Sequence, residues 1–420
     1  MHKFSTTSGK VLWYDVTDNR ISLWSPLQQK KTCPIINFSS PNTLEADKIT
    51  MFTIEMTQQC NLRCTYCCYS GTYNDRRIHN NKHISIDTLN SIIKFIEKHH
   101  DKIADEITIC FYGGEALLVK DKIDWTIQRL LDVLGQQVRF SLSTNGLALT
   151  EDVIDWICSY PKFVVNVTID GDKIMHDKHR KTLSGKGSYD IILKNLELFK
   201  TKFPDEYNNR IRFLATVYSW KDVLELDKVW DGQSVLRGIY PVHISHIIPD
   251  FSDKSRTYDT WDDKNIFYHE AFKAYMKGQK GILSNCFKKL TDIIARRSYH
   301  HLSSNLRIKT CYQSLFSCFI NVDGDLYACE KFCGEFSIGN VSDGINQYRA
   351  YRQLERFTAR KNNHCSTCWA QRFCRMCMTS LNYKDEEIKL MCNMERDTID
   401  LALRYFCEQK DWERFQKNNQ

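Results

Sequence analysis

Proline is scarce, at 7 in 420 residues, and glycine numbers only 17, so long linkers between modules are not expected. No run approaches the roughly 18 apolar residues of a membrane span. The opening stretch MHKFSTTSGKVLWYDV also lacks the apolar core of a secretory signal. The chain is therefore expected to be cytoplasmic and to need no membrane. Blocks of one charge sign are missing as well. The 58 basic and 51 acidic residues leave a net charge of +7, so no nucleic acid partner is expected. We find no internal repeat and no low-complexity segment. What is left is an ordinary globular composition, 42% apolar and 26% charged, which excludes disorder, collagen and a membrane bundle. The length suits a large α/β core with an appendage.

Cysteine breaks this plainness. Of 18 cysteines, ten fall between Cys311 and Cys407, four crowd into Cys60 to Cys68, and four are scattered singles. A secreted disulfide scaffold would be short and would carry a signal peptide. In a reducing compartment, clustered cysteines point to metal. Two metal-rich regions far apart in sequence are the first functional statement the chain makes.

Residues 1–48 read as a small β-rich segment, with VLWYDVTDNRISLWS giving two aromatic-bearing runs about a Thr17-Asp18-Asn19 turn. From 49 to 250, strands alternate with helices. The candidate strands are 49–57, 106–113, 138–144, 163–170, 211–218 and 240–248, separated by amphipathic stretches at 87–99, 122–134, 151–159, 188–203 and 221–230. Such spacing predicts parallel βαβ units. Six strands predict a partial (β/α)6 TIM-like barrel, whose ligands sit at the carboxyl ends of the strands. A helical bridge (251–310), a Cys-rich domain (311–395) and a C-terminal helix (396–420) complete the expected α/β architecture.

Directly after the first strand stands CNLRCTYC, placing Cys60, Cys64 and Cys67 in CxxxCxxC spacing. Three thiolates around a four-iron cluster leave one iron without a protein ligand, and an open position is what chemistry at a metal requires. The alternative is a zinc knuckle that borrows Cys68 or His79. In the tail, Cys311, Cys318 and Cys329 precede CSTCWAQRFCRMC, with Cys365, Cys368, Cys374 and Cys377, and then Cys392. Paired CxxC motifs also suit zinc ribbons. Cys33, Cys68, Cys110, Cys158, Cys286 and Cys407 are most simply buried thiols. Cys333, four residues after Cys329, reads either as an alternative ligand or as a thiol facing the substrate.

With its aromatic Tyr66 before the last cysteine, on the loop after the first barrel strand, the CxxxCxxC motif resembles the radical S-adenosylmethionine (SAM) enzymes. The resemblance implies a [4Fe-4S] cluster on Cys60, Cys64 and Cys67. Its open iron chelates SAM and cleaves it reductively to a 5′-deoxyadenosyl radical that abstracts hydrogen from substrate. Gly113-Gly114-Glu115 matches the family's GGE motif, which holds the SAM amino group, with Ala116 where Pro is usual. TIDGDKIMHDKHR is similar to a family stretch in which Thr168 and Arg180 would bind the SAM carboxylate, a group the Arg fork suits. Asp172 stands there in place of a common Pro. Tyr66 would pack near the adenine and Asn145 would either contact the ribose or serve a turn, while His176 and Asp177 read as structural.

The tail resembles the SPASM extension of the same enzymes, one residue short between Cys374 and Cys377. The resemblance implies two auxiliary [4Fe-4S] clusters, on Cys311, Cys318, Cys329 and Cys377 and on Cys365, Cys368, Cys374 and Cys392, making three with the first. It further implies an external electron donor of flavodoxin or ferredoxin type and a peptide substrate. The expected function is maturation of a ribosomally made precursor peptide, by a crosslink or other oxidation. The alternative is sulfatase-type maturation of Ser or Cys to formylglycine. Residues 1–48 are a candidate contact for a leader peptide through strand addition, or else a cap on the barrel. Glu330, directly after Cys329, stands where sulfatase-maturing relatives carry an Asp that takes a proton from substrate, and is the expected catalytic base. Its bland alternative is an exposed loop carboxylate beside Lys331.

Overall fold

A computed structural model describes residues 1–23, 49–71, 77–99, 103–247, 259–297, 317–365 and 367–418. Three short strands open the chain, β1 (His2–Ser5), β2 (Val11–Asp15) and β3 (Arg20–Ser22), antiparallel in that order. Asn19 enters β3 at a φ of 57°, a left-handed position that Asn tolerates, and its side chain accepts from the Tyr14 hydroxyl at 2.8 Å. This is the turn expected at Thr17-Asp18-Asn19. The rest of the N-terminal segment, 24–48, lies outside the described residues.

Strand–helix alternation then builds the barrel: β4 (Ile49–Thr57), α1 (Ile86–Lys98), β5 (Ile103–Gly113), α2 (Lys120–Leu134), β6 (Val138–Thr144), α3 (Glu151–Ser159), β7 (Phe163–Thr168), α4 (Lys173–His179), α5 (Tyr189–Lys202), α6 (Pro204–Arg210), β8 (Ile211–Val217), α7 (Trp220–Trp230) and β9 (His243–His246). The six strands β4 to β9 lie parallel in sequence order. Their alternation has a clear purpose. On the helix-covered face Ile109, Phe111, Phe140, Leu142, Val165 and Phe213 are buried, each worth roughly 1.5–3 kcal/mol. The intervening residues form the concave face, and Cys110, Ser141, Ser143 and Asn166 among them are half-exposed. Register sets Cys110 beside Ser141, and Asn166 between Ser143 and Arg212. A parallel sheet packed on both faces would read as unbroken apolar runs; the polar alternation leaves one face for a ligand.

After β9 come α8 (Trp261–Met276) and α9 (Ile282–Ala295), then β10 (Ser317–Ile320), β11 (Asp325–Tyr327), β12 (Gly339–Asn340) and β13 (Gly344–Ile345). Strand β10 pairs parallel with β4, and β11 to β13 follow antiparallel, so the barrel sheet has ten strands. This extension was not foreseen from sequence. The chain ends in α10 (Gln347–Cys365) and α11 (Asp385–Asn418). Helix α11 begins eleven residues before the expected 396, with Asp385, Glu386 and Glu387 in a first turn that favours acids.

Two compact units result, Thr43–Asp250 with Thr310–Gln353, and Met1–Asn42 with Phe251–Lys309 and Leu354–Gln420. Within the second, α8, α9 and α11 pack through Phe272, Phe287 and Tyr405. The N-terminal sheet is tied to α11 by His2 to Asp400 (2.6 Å), Thr7 to Glu408 and Lys10 to Asp411. Among the described residues no helix is long and apolar enough to cross a membrane.

Candidate active site

The loop after β4 is fastened to the end of β5 by backbone alone. Gly114 N–H donates to the Thr57 carbonyl and Glu115 N–H to the Gln59 carbonyl, both at 2.8 Å. Such closeness demands glycine. A Cβ on Gly114 would stand 2.2 Å from the Gln59 carbonyl oxygen and 3.1 Å from Cys60 Cβ, and one on Gly113, at φ +141°, 2.2 Å from the Thr57 oxygen. The Gly-Gly pair therefore seats the cysteine loop.

Glu115 reaches sideways to the end of β6. Its buried carboxylate accepts from the Thr144 hydroxyl (2.8 Å), Asn145 N–H (2.7 Å) and Leu117 N–H (3.1 Å). Burial raises its pKa and these donors oppose the rise. The Asn145 side chain closes its turn by accepting from Leu147 N–H at 3.0 Å, and donates to Asn61 Oδ1 at 2.6 Å. Three strand ends are thus laced to one loop.

The β7 end supplies the opposite wall. Thr168 is half-buried as its last residue. Arg180, buried to 5% exposure, donates through Nη1 to the Tyr66 hydroxyl at 3.0 Å, and that hydroxyl donates to Asp170. Asp170 also accepts from Thr216 N–H on β8 at 2.8 Å. The Arg180 backbone is fixed by the Ser188 hydroxyl (2.8 Å), which also bonds His176 Nε2 at 3.1 Å. Asp177 accepts from Ser188 and Tyr189 N–H. Arg180 Nε is buried without a partner, an orphan donor that an anionic ligand group would satisfy. Sequence reasoning missed Asp170, although the TIDG motif contains it, and read Tyr66 as a ring without noticing its hydroxyl.

The cysteine sulfurs already have donors aimed at them. Leu62 N–H donates to Cys60 Sγ at 3.3 Å, Asn145 Nδ2 to the same sulfur at 3.8 Å, and Tyr69 N–H to Cys67 Sγ at 3.4 Å. Even so, burial pushes the Cys60 thiol up to about 11. Burial raises Cys64 against the pull of Arg180, and Cys67 is raised first by its hydrogen bond with Cys68 and then by burial. Buried thiols at the mouth of a barrel, with donors placed for negative sulfur, fit a bound cationic centre that offsets their charge. Among the described residues no three His, Cys, Asp or Glu side chains converge as on a single metal ion; in a cubane each thiolate takes its own iron.

In the tail the sulfurs divide. The charges of Cys374, Cys368 and Cys392 all bear on Cys365, whose thiol is pushed up to about 12, by burial first. Cys318 is buried on β10 and likewise raised to about 12, and Cys329 follows β11 by two residues. Cys377 is exposed, with its sulfur 2.9 Å from Thr379 Oγ1. Cys311 lies outside the described residues, as does Cys33.

Glu330 comes to the concave face. Its charge bears on Cys110 and, behind that of Cys68 and burial, on Tyr112, both of β5. Beneath it lies a group that sequence reasoning missed. Buried Glu55 of β4 pairs with Arg77 Nε at 3.3 Å and accepts from Gln58 Nε2 (3.1 Å), Val322 N–H (3.2 Å) and the Tyr69 hydroxyl. Arg77 lies 4.3 Å over the Phe319 ring, donates to the Glu330 carbonyl, and leaves Nη1 buried and unpartnered. Arg77, Glu330, Cys68 and Cys333 line one small recess. A carboxylate inside the apolar run ITMFTIEMT was a legible signal; Arg77, in YNDRRIHNN, carried none.

Residues 54–226 match the family model described as the radical SAM superfamily. A cysteine-type anaerobic sulfatase-maturating enzyme of Clostridium novyi (strain NT) is 25% identical over 354 residues, covering 78% of this chain and 87% of that protein. Among solved structures, native anSMEcpe with bound AdoMet and Cp18Cys peptide superposes with a TM-score of 0.65 at 18% identity, over 87% of this chain and 99% of that one. Streptococcus suis SuiB bound to precursor peptide SuiA gives 0.52 at 13%, over 80% and 74%. The fold is shared with both.

Proposed function

We propose that this chain, which belongs to the radical SAM superfamily and is a radical SAM oxidoreductase, oxidises a side chain of a peptide or protein segment lying against the concave face of its barrel. The reading we favour is dehydrogenation of the sulfatase-maturing kind. It is supported by the C. novyi likeness along most of both chains and by Glu330, whose charge bears on Tyr112 and Cys110 and which lines one recess with Arg77, Cys68 and Cys333. When bound, SAM and an iron–sulfur centre on Cys60, Cys64 and Cys67 would supply the hydrogen-abstracting radical, and auxiliary centres on the tail cysteines an electron acceptor.

The chain's own residues would do the rest. Gly113, Gly114 and Glu115 form the rim against which the SAM amino group would rest, with Asn145 and Tyr66 beside it. Arg180, with a donor to spare, and Thr168 would take its carboxylate. Loss of a hydrogen atom from substrate must be followed by loss of one proton and one electron for net oxidation. Glu330 would accept the proton, held in place through its own carbonyl by Arg77. Crosslinking of a precursor peptide is the second reading, supported by the N-terminal antiparallel sheet, whose edge could take a leader strand, and by the SuiB fold.

The deciding experiment uses Glu330→Gln and a Cys-containing sulfatase peptide. The variant is expected to cleave SAM at the wild-type rate but to form product about 10²-fold more slowly. An unchanged rate would remove Glu330 from the mechanism. Product that reacts with a hydrazide is the aldehyde of the favoured reading, left when water hydrolyses the dehydrogenated cysteine (a thioaldehyde) and its sulfur departs as hydrogen sulfide. An unreactive product lacking two hydrogens is the crosslink.

A further inference from the structure

The outer side of the cysteine loop leans on one segment. Arg63 N–H donates to the Lys181 carbonyl (2.7 Å), Thr65 N–H to that of His179 (3.1 Å), and Leu62 bridges Thr182. This segment is α4 followed by a small hairpin, closed by Thr182 N–H to the Lys186 carbonyl at 2.8 Å and by a bridge from Lys181 to Gly187. Whatever its side chains display borders the proposed first cluster.

They display cations together with bare apolar groups. Arg63, Lys178, Lys181 and Lys186 are all exposed, and among the described residues none of them makes an ion pair, whereas neighbouring Lys173 pairs with Asp190. Arg63 is pinned by bonds of 2.8 Å to the Cys60 and Leu62 carbonyls. The acids nearby are occupied by the fold. Asp172 caps α4, Asp177 holds Ser188 and Tyr189, and Asp222 closes the capping box of α7. Ile174, one helical turn from Lys178 on α4, is the most exposed large apolar side chain among the described residues at 81%, and Leu183 at the hairpin tip is 65% exposed. Lone exposed apolar groups are ordinary. Two of them on the same segment as three unpaired lysines, backed onto the loop that would receive an electron, offer apolar and charged groups together for a small docking face.

We infer that α4 and the 181–187 hairpin are the docking surface for an acidic one-electron carrier protein, a flavodoxin or ferredoxin by chemistry. The inference rests on the proposed cluster at Cys60, Cys64 and Cys67. In each encounter the carrier gives up one electron and is oxidised by one, the cluster is reduced by one, and no bond or proton of the chain is exchanged. A small area suffices because electron-transfer encounters are weak and brief, and the cations act mainly by steering approach.

The test is the triple variant Lys178→Glu, Lys181→Glu, Lys186→Glu, with Ile174→Ser, Leu183→Ser as an uncharged second arm. Binding of oxidised flavodoxin to the holoenzyme is measured by calorimetry at low and at physiological salt. SAM cleavage is driven separately by reduced flavodoxin and by dithionite. The charge variant should bind about tenfold or more weakly at low salt, lose most of the salt dependence, and keep its dithionite-driven rate. The apolar pair should weaken binding without changing its salt slope. Wild-type affinity and flavodoxin-driven rate in both variants would overturn the inference. Absence of dithionite-driven cleavage in the wild type would instead defeat the functional reading, and the calorimetric arm would still decide the docking face.

Discussion

Around Cys60, Cys64 and Cys67 the holding is long-range. Strand ends at 113–115 and 144–145, with Arg180 beyond them, meet the cysteine loop through backbone and side-chain bonds that need no metal. Around Cys365, Cys368 and Cys374 the backbone bonds are short-range, and the long reach is made by side chains beside the cysteines, Arg372 to the Val16 and Thr17 carbonyls, Trp369 stacked on His2 and Arg375 on Glu395. Cys368 N–H bonds the Cys365 carbonyl and Cys374 N–H that of Ala370, each at 3.0 Å, and Cys392 arrives on α11. The first region is a site built by the sheet, ready before anything binds. The second is a string of turns in which side chains between the cysteines are anchored while no strand end seats the cysteines themselves, so a bound centre would complete its local fold as well as its chemistry.

That contrast is broken most severely by removing the thiols. Changing Cys60, Cys64 and Cys67 together to Ala should abolish 5′-deoxyadenosine formation while leaving the thermal unfolding midpoint within a few degrees of wild type. Changing Cys365 and Cys368 to Ala should do the reverse, sparing SAM cleavage and lowering the midpoint clearly. Chromatography of the nucleoside and anaerobic calorimetry read the two effects. Equal thermal penalties would mean that the two regions are not held differently.

The same contrast explains what could be read from sequence. Strands β6 and β7 were legible because period-two alternation is local, and GGE because its residues are contiguous at a strand end. The concave face needed only that alternation. The pairing of β10 with β4 was not legible. SCFI is four residues long, its partner lies some 260 residues earlier, and parallel pairing leaves no turn signal between. The Tyr66–Asp170–Arg180 chain was half legible, since its members sit in motifs but the bonds among them depend on the sheet's curvature. The early start of α11 was hidden because DEEIKLMCNME was read as part of the Cys-rich domain, on account of Cys392 within it.

Two ion pairs sharpen the comparison at smaller cost: Lys82–Asp323 joins the barrel to the 317–346 strands directly, and Glu55–Arg77 does so through the bonds of its members to Val322 N–H and the Glu330 carbonyl. Glu55–Arg77 is buried, with side chains 0% and 9% exposed, and Lys82–Asp323 is open, at 50% and 49%. Glu55→Gln leaves a buried guanidinium uncompensated and should cost about 3–5 kcal/mol in denaturant unfolding. Asp323→Asn should cost less than about 1 kcal/mol. If the two losses matched, the buried pair would not be what anchors β10 and Glu330 to β4.

A small effect that depends on pH concerns His176, the buried histidine that props Ser188 under the Arg180 carbonyl. Burial first, then the charge of Arg180, pushes its pKa down to about 2 from an ordinary 6.5. In the unfolded chain the ring takes a proton as pH falls through 6.5; in the native rim it stays neutral, so the unfolded state binds more protons and stability falls. The loss runs from about pH 6.5 towards pH 2, at about 1.4 kcal/mol per pH unit. Between pH 7.5 and 5.5 His176 should therefore account for about 1.4 kcal/mol of lost stability. His176→Asn lowers stability at every pH through its lost bonds, so the informative reading is the slope: urea unfolding of the variant at the two pH values should show a drop smaller than wild type by that amount. An unchanged slope would mean that the ring is protonated in the native rim and that the brace beneath Arg180 is looser than its bonds imply.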